Sequence, residues 1–225
     1  MMNKYFLLCF LVFGLLWVSC SRKKEGDANL PKFPKLFSVV PAQETGVDFE
    51  NKLEETLDSN YFQYMYTYIG GGVAAGDIND DGYVDLYFTS NTFSDKLYLN
   101  LGGFQFKDIT LDSGIEHKPG FNTGVTMIDI NNDGFLDIYV SRGGWKSEDG
   151  KFANLLYINN GDLTFTERAA EMGLDDENRT IQATFFDYDL DNDLDVYISN
   201  TPDITGRTEI LDLNKVHKDP KTLLL

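Results

Sequence analysis

The sequence predicts an all-β fold built from repeated four-stranded sheets, and three observations support this prediction. Aromatic residues make up 14% of the chain, with 17 Phe and 12 Tyr, and this composition favours strands. Three acidic windows, at 76–91, 128–143 and 186–201, align without gaps, and their first aspartates are 52 and 58 residues apart. A second pattern at 96–115 recurs 59 residues later at 155–174, and periods of this size indicate repeated supersecondary units.

The composition excludes some classes of protein. The hydrophobic content of 42% in 225 residues fits a globular core. A net charge of -17 disfavours nucleic acid as a partner, because nothing offsets the repulsion from phosphates. Both cysteines, Cys9 and Cys20, lie in the first twenty residues. The rest of the chain therefore offers no disulfide, thiol nucleophile or cysteine metal site.

Residues 1–19 are predicted to be an export signal. A short basic start precedes an apolar run of about fifteen residues, which is short for a membrane span and typical of a signal peptide. The run ends at Cys20, and this junction resembles a bacterial lipoprotein signal, in which Cys20 would be lipidated. Trp17 departs from that pattern, since an aliphatic residue is usual there; an ordinary secretory peptide and an uncleaved anchor are the alternatives. The resemblance implies a lipid-anchored protein of the bacterial cell envelope, at the outer membrane or cell surface, with residues 20–35 as a polar tether.

Each repeat predicts two β-hairpins. A strand such as 124–128 leads into an acidic loop, and a second strand, such as 138–140, leaves it. The exit strands are apolar on both faces, which predicts that they lie between neighbouring sheets. In the second hairpin, two strands flank a Gly-containing turn. Four strands in about 55 residues correspond to one blade of a β-propeller.

The predicted propeller is incomplete. Blade one covers 68–115, blade two covers 120–174, and a third blade has only begun. Propellers have typically about four to eight blades, so residues 36–225 are predicted to be a β-propeller segment of about two full blades plus part of a third. Residues 37–47 resemble the closing strand at 106–115, and we expect them to supply the outer strand of the last blade in the ring.

The acidic loops are predicted to hold up to three calcium ions. Their donors are hard oxygens on alternating positions of a tight loop, which suits Ca²⁺, whereas zinc or copper would require His or Cys. Gly82 and Gly134 at position 6 permit a positive φ, and Asn192 in loop three tolerates it. Positions 1, 3, 5, 7 (backbone carbonyl) and 9 are Asp77, Asn79, Asp81, Tyr83 and Asp85 in loop one, Asp129, Asn131, Asp133, Phe135 and Asp137 in loop two, and Asp187, Asp189, Asp191, Asp193 and Asp195 in loop three.

The acidic pattern of these loops also occurs in EF-hands and in plain hairpin turns. An EF-hand requires a Glu at position 12 and flanking helices, but position 12 is Phe88, Val140 or Ile198, and the flanks predict strands. A plain hairpin turn also favours Asp, Asn and Gly. The additional Asp at position 9 argues against the plain turn, because a strand already runs there in all three copies.

The loops resemble FG-GAP/VCBS repeats, the units of the calcium-bearing propeller of integrin α chains and of many bacterial surface proteins. The stretch 68–91, followed by LYLN and FKDIT, is similar to bacterial proteins of the ASPIC/UnbV and cartilage-acidic-protein type. The resemblance covers roughly residues 36–225. It implies structural calcium sites on the blades and carries little information about activity.

No catalytic constellation is visible. His117 and His217 lie in polar contexts typical of surface residues, and no G-x-S-x-G, phosphate loop or H-E-x-x-H occurs. The run Gly70–Gly72 is predicted to be a crowded inner strand. The tyrosine-rich stretch 61–69 alternates like a strand, and packing in the core or between blades is favoured over stacking on sugars.

The sequence therefore predicts a non-catalytic, calcium-binding module, exported to the surface or periplasm, that binds a protein or glycan partner. The alternative is part of a calcium-dependent polysaccharide-processing enzyme, a lyase or hydrolase, whose active residues lie in other blades.

Overall fold

Two of the predicted repeats fold into separate four-stranded antiparallel sheets in which consecutive strands are neighbours. The computed structural model describes residues 35–115, 120–144 and 153–202. The predicted export signal, Cys20, nearly all of the tether and both histidines lie outside these residues.

The first sheet begins after a short helical turn, α1. Its first hairpin carries acidic loop one, and Gly76 pairs with Asp85 at the mouth of that loop. The strands follow each other in the order β1-β2-β3-β4. Their bounds are Ala42–Thr45 for α1, Val73–Gly76 for β1, Asp85–Phe88 for β2, Lys96–Asn100 for β3 and Phe106–Asp108 for β4.

The second sheet repeats this arrangement, and two strands of a third sheet follow. Ile128 pairs with Asp137 at the mouth of acidic loop two, and Phe186 pairs with Asp195 at the mouth of loop three. The bounds are Phe121–Ile128 for β5, Asp137–Gly143 for β6, Leu155–Asn159 for β7, Phe165–Glu167 for β8, Ala169–Met172 for the helical turn α2, Thr180–Phe186 for β9 and Asp195–Asn200 for β10. The predicted all-β fold of incomplete propeller blades is confirmed, and we refer to the three sheets as blades 1, 2 and 3.

The core lies between blades. Tyr87 of blade 1 packs in one cluster with Ile138 and Val140 of β6. Tyr139, also of β6, points the other way and packs with Ala183 of blade 3. Because successive residues of a strand face opposite sides, β6 is covered on both faces and is buried along its whole length. The prediction that the exit strands lie between sheets is therefore correct for β6.

The equivalent strands at either side are less covered within the described residues. In β2, Asp85 and Tyr87 are buried, but Leu86 and Phe88 on the other face are only half-buried. In β10 no residue is fully buried, since blade 3 has two strands in the part of the chain that the structure describes. Burial thus follows the number of neighbouring sheets rather than the hydrophobicity of the strand.

Three local predictions were wrong or only partly right. The tyrosine-rich stretch 61–69 forms turns instead of a strand. Gly71 and Gly72 precede β1 rather than lie in a strand, although they are crowded as expected: a Cβ on Gly71 would lie 2.3 Å from the carbonyl oxygen of Thr89. In the segment 37–47, residues 42–45 form α1, which ends at Gly46 in a left-handed conformation.

Residues 35–39 belong to a unit of their own and contain no strand or helix. Their large apolar side chains are exposed, including Phe37 at 90%. Whether this segment closes a ring stays a prediction. Among the residues that the structure describes, no helix is long and apolar enough to cross a membrane.

Candidate metal centre

The three acidic loops occupy equivalent places in the fold. Each connects the first two strands of a blade, so all three lie where β1, β5 and β9 end. In this position a loop is anchored at both ends by paired strands, while its tip remains in solvent. The predicted ligand residues of each loop therefore lie on one hairpin connection, and their role as ligands stays a prediction.

The aspartate at position 1 organises each loop by accepting backbone hydrogen bonds. Asp77 accepts from the N–H of Gly82 at 2.7 Å and from that of Asp81 at 3.2 Å. Asp129 accepts in the same way from Gly134 at 2.9 Å, and Asp187 from Asn192 at 3.1 Å. Such carboxylate–amide contacts fold the loop around its first residue and leave the remaining oxygen lone pairs available.

The backbone of the loops confirms the prediction for position 6. Gly82 has φ 86°, Gly134 has φ 94° and Asn192 has φ 73°. The structure adds a second left-handed residue at position 4 that the sequence did not lead us to expect. It is Asp80 in loop one and Leu190 in loop three, the latter with φ 64°. Leucine has no local hydrogen bond to offset the steric cost of this conformation, so loop three is the strained one.

The aspartate at position 9 has a structural task that the sequence did not reveal. Asp85 is fully buried and accepts hydrogen bonds from the N–H groups of Ile78, at 3.0 Å, and Asn100, at 2.7 Å. Asp137 does the same with Ile130, at 3.1 Å, and Asn159, at 2.8 Å. The premise that a bare hairpin has no use for this carboxylate is therefore wrong, because it ties the loop to the third strand of the blade.

Burial makes these two carboxylates sensitive to their surroundings. Desolvation raises the pKa of Asp85 and of Asp137 above the ordinary value, against the hydrogen bonds from the backbone, and the neighbouring loop aspartates raise both further. A nearby cation would favour the ionised form and oppose this shift. A cation bound in the loop would therefore reduce the repulsion among these carboxylates.

The asparagine of the third strand is a further functional residue that sequence reasoning did not single out. The side-chain amide of Asn100 donates to the carbonyl of Val84 at 2.9 Å, and that of Asn159 donates to Leu136 at 3.1 Å. Each asparagine thus holds its acidic loop through both its backbone and its side chain. The signal in the sequence was the repeated LYLN and LYIN, whose last residues are 59 apart.

Position 3 of loop one supplies the most direct indication that the loop fits a cation. The side-chain nitrogen of Asn79 donates to Asp81 at 3.0 Å. Its side-chain oxygen is buried and has no hydrogen-bond partner. A buried carbonyl oxygen without a donor is costly, and Ca²⁺ prefers carboxylate and amide oxygens as ligands. The donor set of loop one therefore fits a hard cation.

Loop three brings its carboxylates closest together. Ligand atoms of Asp187, Asp189 and Asp195 lie within 4.8 Å of one another. A hydrogen bond from the Asp193 backbone lowers the pKa of Asp191, whereas the shared side-chain hydrogen bond raises the pKa of Asp193. Like charges at this distance repel, and a divalent cation would neutralise them.

The position-7 residues differ between the loops. The Tyr83 ring packs over Gly102, where a Cβ would lie 3.1 Å from its Cζ atom, and the Phe135 ring packs over Gly161 in the same manner. These aromatic side chains connect the acidic loop to the turn of the second hairpin. Asp193 in loop three is exposed. The predicted contribution of these residues is through their backbone carbonyls, which stays a prediction.

The comparisons with known proteins agree with this architecture. Residues 77–140, which run from acidic loop one into β6, match the family model described as an FG-GAP-like repeat. Together with the blades and the acidic loops, this match supports an integrin-like FG-GAP repeat in this part of the chain.

Three relatives show how far the similarity extends. The chain is 30% identical over 136 residues to cartilage acidic protein 1 of Xenopus tropicalis, covering 59% of this chain and 20% of the relative. It is 31% identical over 141 residues to integrin alpha-8 of Gallus gallus, covering 55% and 13%. It is 28% identical over 117 residues to phosphatidylinositol-glycan-specific phospholipase D of Bos taurus, covering 44% and 14%. The chain thus matches at most a fifth of the length of these relatives.

Proposed function

We propose that the chain is a calcium-binding, non-catalytic module of an exported surface or periplasmic protein, and that it mediates binding to a protein or glycan. The observation that carries the calcium proposal is the buried side-chain oxygen of Asn79, which has no donor. The convergence of Asp187, Asp189 and Asp195 supports it independently. One calcium ion per loop would bind the side chains at positions 1, 3, 5 and 9 and the carbonyl at position 7.

Calcium would stiffen the first hairpin of each blade. The position-9 aspartate already connects the loop with the third strand, through Asp85 to Asn100 and through Asp137 to Asn159. A cation held by the same carboxylates would therefore brace two hairpins at once. Rigid blades suit a module that presents its loops to a partner, because preorganised surfaces lose less freedom on binding.

Export and anchoring belong to the same proposal. We assign residues 1–19 to a signal peptide, Cys20 to lipidation, 20–35 to the tether and 36–225 to the propeller segment. The similarity to an integrin and to a cartilage protein supports a role outside the cytoplasm. Mass spectrometry of the protein purified from membranes would detect the diacylglyceryl group on Cys20, and an unmodified Cys20 in mature protein would contradict the anchor.

Thermal unfolding with calcium or with a chelator tests the metal. A ligand that binds only the folded state stabilises it by about 2.7 kcal/mol at about 100 times its Kd, so we expect Tm to rise with calcium. The triple variant Asp77→Asn, Asp129→Asn and Asp187→Asn should lose most of this rise. The control Asp112→Asn removes an exposed carboxylate outside the loops and should keep the full rise. An unchanged Tm in the wild-type chain at millimolar calcium would rule out the sites.

The alternative function is part of a calcium-dependent enzyme that processes polysaccharides. One relative is named as a phospholipase, so enzymes occur among similar proteins. The residues that the structure describes contain no histidine, which leaves the carboxylates as candidate acids and bases. Turnover of a polysaccharide panel by the full-length protein would establish the alternative; binding without turnover supports the module.

A further inference from the structure

The residues between α1 and β1 form an exposed aromatic surface at the end of the blades opposite the acidic loops. Tyr64 of this segment packs edge-to-face on Phe121, the first residue of β5, at a ring distance of 5.5 Å. Acidic loop two follows the last residue of the same strand, Ile128. We call the surface formed by Glu55, Leu57, Tyr61, Phe62 and Tyr68 the aromatic shelf.

The shelf exposes more apolar surface than a solvated loop requires. Leu57 is 91% exposed, Phe62 82% and Tyr68 66%. The rings of Tyr61 and Tyr68 stack at 6.0 Å and 17° between planes, and Phe62 lies edge-on to Tyr61, so the three rings form one exposed cluster. Clustered exposed aromatic residues mark interaction sites more often than isolated ones do.

The shelf is held in place by the fold. The Asn60 side chain donates to the carbonyl groups of Thr56 and Leu57, each at 2.9 Å, and accepts from the N–H of Phe62 at 2.9 Å. Behind the shelf, Tyr64 is only 2% exposed and anchors the segment to the blades. The aromatic side chains are therefore displayed by an ordered turn, which favours binding because little freedom remains to be lost.

The chemistry of the shelf selects a cationic partner. Its side chains line an open cleft of about 570 Å³. The Glu55 carboxylate accepts hydrogen bonds from the N–H of Tyr61 at 3.1 Å and from the Tyr68 hydroxyl, and it has further lone pairs for another donor. Aromatic faces attract cations, and Arg also pairs with carboxylates. The same segment already shows this contact, since Arg179 lies 5.6 Å from the ring centre of Tyr64.

The negative charge around the shelf argues against the main alternative ligands. The chain has 36 acidic and 19 basic residues, and Glu54, Glu55 and Asp58 lie in or beside the shelf. Anionic polymers such as nucleic acids or sulfated glycans would be repelled. A neutral sugar could stack on the rings, but the acidic rim would contribute little to its binding.

We infer that the aromatic shelf is a docking site for an arginine-containing basic segment of a partner protein. The inference rests on the proposed function as a binding module and names both the surface and the partner class. A guanidinium group stacks on the exposed ring of Tyr68 and pairs with the carboxylate of Glu55, while Leu57 and Phe62 cover the aliphatic part of the arginine side chain.

A pair of matched peptides tests the inference. We would titrate the protein with a soluble Gly-Ser peptide carrying several arginines, and with the same peptide carrying neutral citrulline at those positions. We expect saturable binding of the arginine peptide and about tenfold weaker binding of the citrulline peptide. Tyr68→Ala should weaken the arginine peptide by about tenfold, and Glu55→Gln should reduce both its affinity and its dependence on salt. Phe104→Ala, which alters an aromatic residue 72% exposed in another turn, should bind as the wild type does.

Several outcomes would contradict the docking inference. Equal binding of the two peptides, or no binding at millimolar peptide, overturns the inference. The inference would also be overturned, in favour of a glycan site, if a neutral oligosaccharide bound to the wild type and this binding were lost in Tyr68→Ala. The docking inference and the calcium proposal can fail independently. If Tm rises with calcium but no peptide binds, only the docking inference is overturned. If the peptide binds but Tm does not rise with calcium, only the calcium proposal is overturned.

Discussion

Asn154 in blade 2 occupies the position of Asp95 in blade 1, immediately before the third strand, and each side chain links its own blade to the next. Asp95 accepts hydrogen bonds from the Ser90 backbone at 2.7 Å, from the Tyr87 hydroxyl at 2.8 Å and from the Asn122 side chain at 2.8 Å. The first two partners belong to blade 1, and Asn122 belongs to β5 of blade 2. A single buried side chain therefore joins two blades.

The same three contacts recur one blade later. Asn154 accepts from the Arg142 backbone at 2.7 Å, and its side-chain nitrogen donates to the Tyr139 hydroxyl at 2.9 Å and to Thr180 of blade 3 at 2.9 Å. The residue types differ, but each arrangement satisfies the polar groups that it buries. The link between blades is thus a repeated polar contact, in addition to the apolar packing.

Substitution at Asp95 should separate charge from hydrogen bonding. Asp95→Leu leaves Tyr87, Ser90 and Asn122 with buried donors and no acceptor, each at a cost of about 1–3 kcal/mol, so we expect a loss of at least about 3 kcal/mol in the free energy of unfolding. Asp95→Asn retains an oxygen for Ser90 and a donor for Tyr87, as in blade 2, but its amide nitrogen would face the side-chain nitrogen of Asn122, which then has no acceptor. We expect it to lose about 1–3 kcal/mol, which is less than the loss in Asp95→Leu. Urea denaturation measures both, and equal losses would contradict the role of the hydrogen bonds.

The pH dependence of the same variant tests the charge. Burial raises the pKa of Asp95 above its ordinary value, against its hydrogen bonds and the field of Arg142. A carboxyl group with a raised pKa in the folded state stabilises the fold below its unfolded pKa, and this contribution is lost as the pH rises through the folded pKa. We therefore expect wild-type stability to gain relative to Asp95→Asn as the pH falls from about 7 to about 4. A difference that stays constant over this range would contradict the raised pKa.

The residue types in the turns and the spacing of the repeats explain which features could be predicted from the sequence. The acidic loops follow from Asp, Asn and Gly at fixed positions, because few residues tolerate φ of 86° as at Gly82. The hairpins follow from alternation and spacing. These signals are local, and the structure confirms them.

The remaining features depend on distant partners. The alternation of 61–69 resembles a strand, but Asn60 and the buried Tyr64 fix turns there by contacts with Leu57 and Phe121. The task of Asp85 depends on Asn100, fifteen residues away and on another strand. Pattern alone carries no information about such pairings, so the structural role of position 9 could not be inferred.

Loop three should be stabilised by relieving its strained leucine. Leu190 has φ 64° and is 82% exposed, so its side chain contributes little packing. Leu190→Gly removes the steric cost of about 1–2 kcal/mol, and we expect a gain of about 1 kcal/mol after the greater freedom of glycine in the unfolded chain. Leu194→Gly is the control, since Leu194 is not among the left-handed residues and should lose stability. Chelated protein should be used, and a loss in Leu190→Gly would show that the strain is absent.

The turn that ends α1 repeats a contact found between blades 1 and 2. In blade 1, the turn after β4 ends at Gly114, and Ser113 accepts from the N–H of Phe165 on β8 at 2.8 Å. Gly46, at the end of α1, lies against β4 in the same way, and Gln105 donates to the carbonyl of Glu44. The residues of α1 thus contact blade 1 as the last turn of one blade contacts the outer strand of the next.

Two glycine substitutions measure how closely the turn at the end of α1 packs against β4. Gly46 has φ 81°, and a Cβ there would lie 2.5 Å from the carbonyl oxygen of Phe106. Gly173 ends α2 with φ 69° and has no atom within 4 Å of an added Cβ. Both Ala variants bear the left-handed penalty of about 1–2 kcal/mol, but only Gly46→Ala must also displace β4. We therefore expect Gly46→Ala to be less stable than Gly173→Ala by at least about 1 kcal/mol in thermal or urea unfolding. Equal losses would mean that α1 rests only loosely on blade 1.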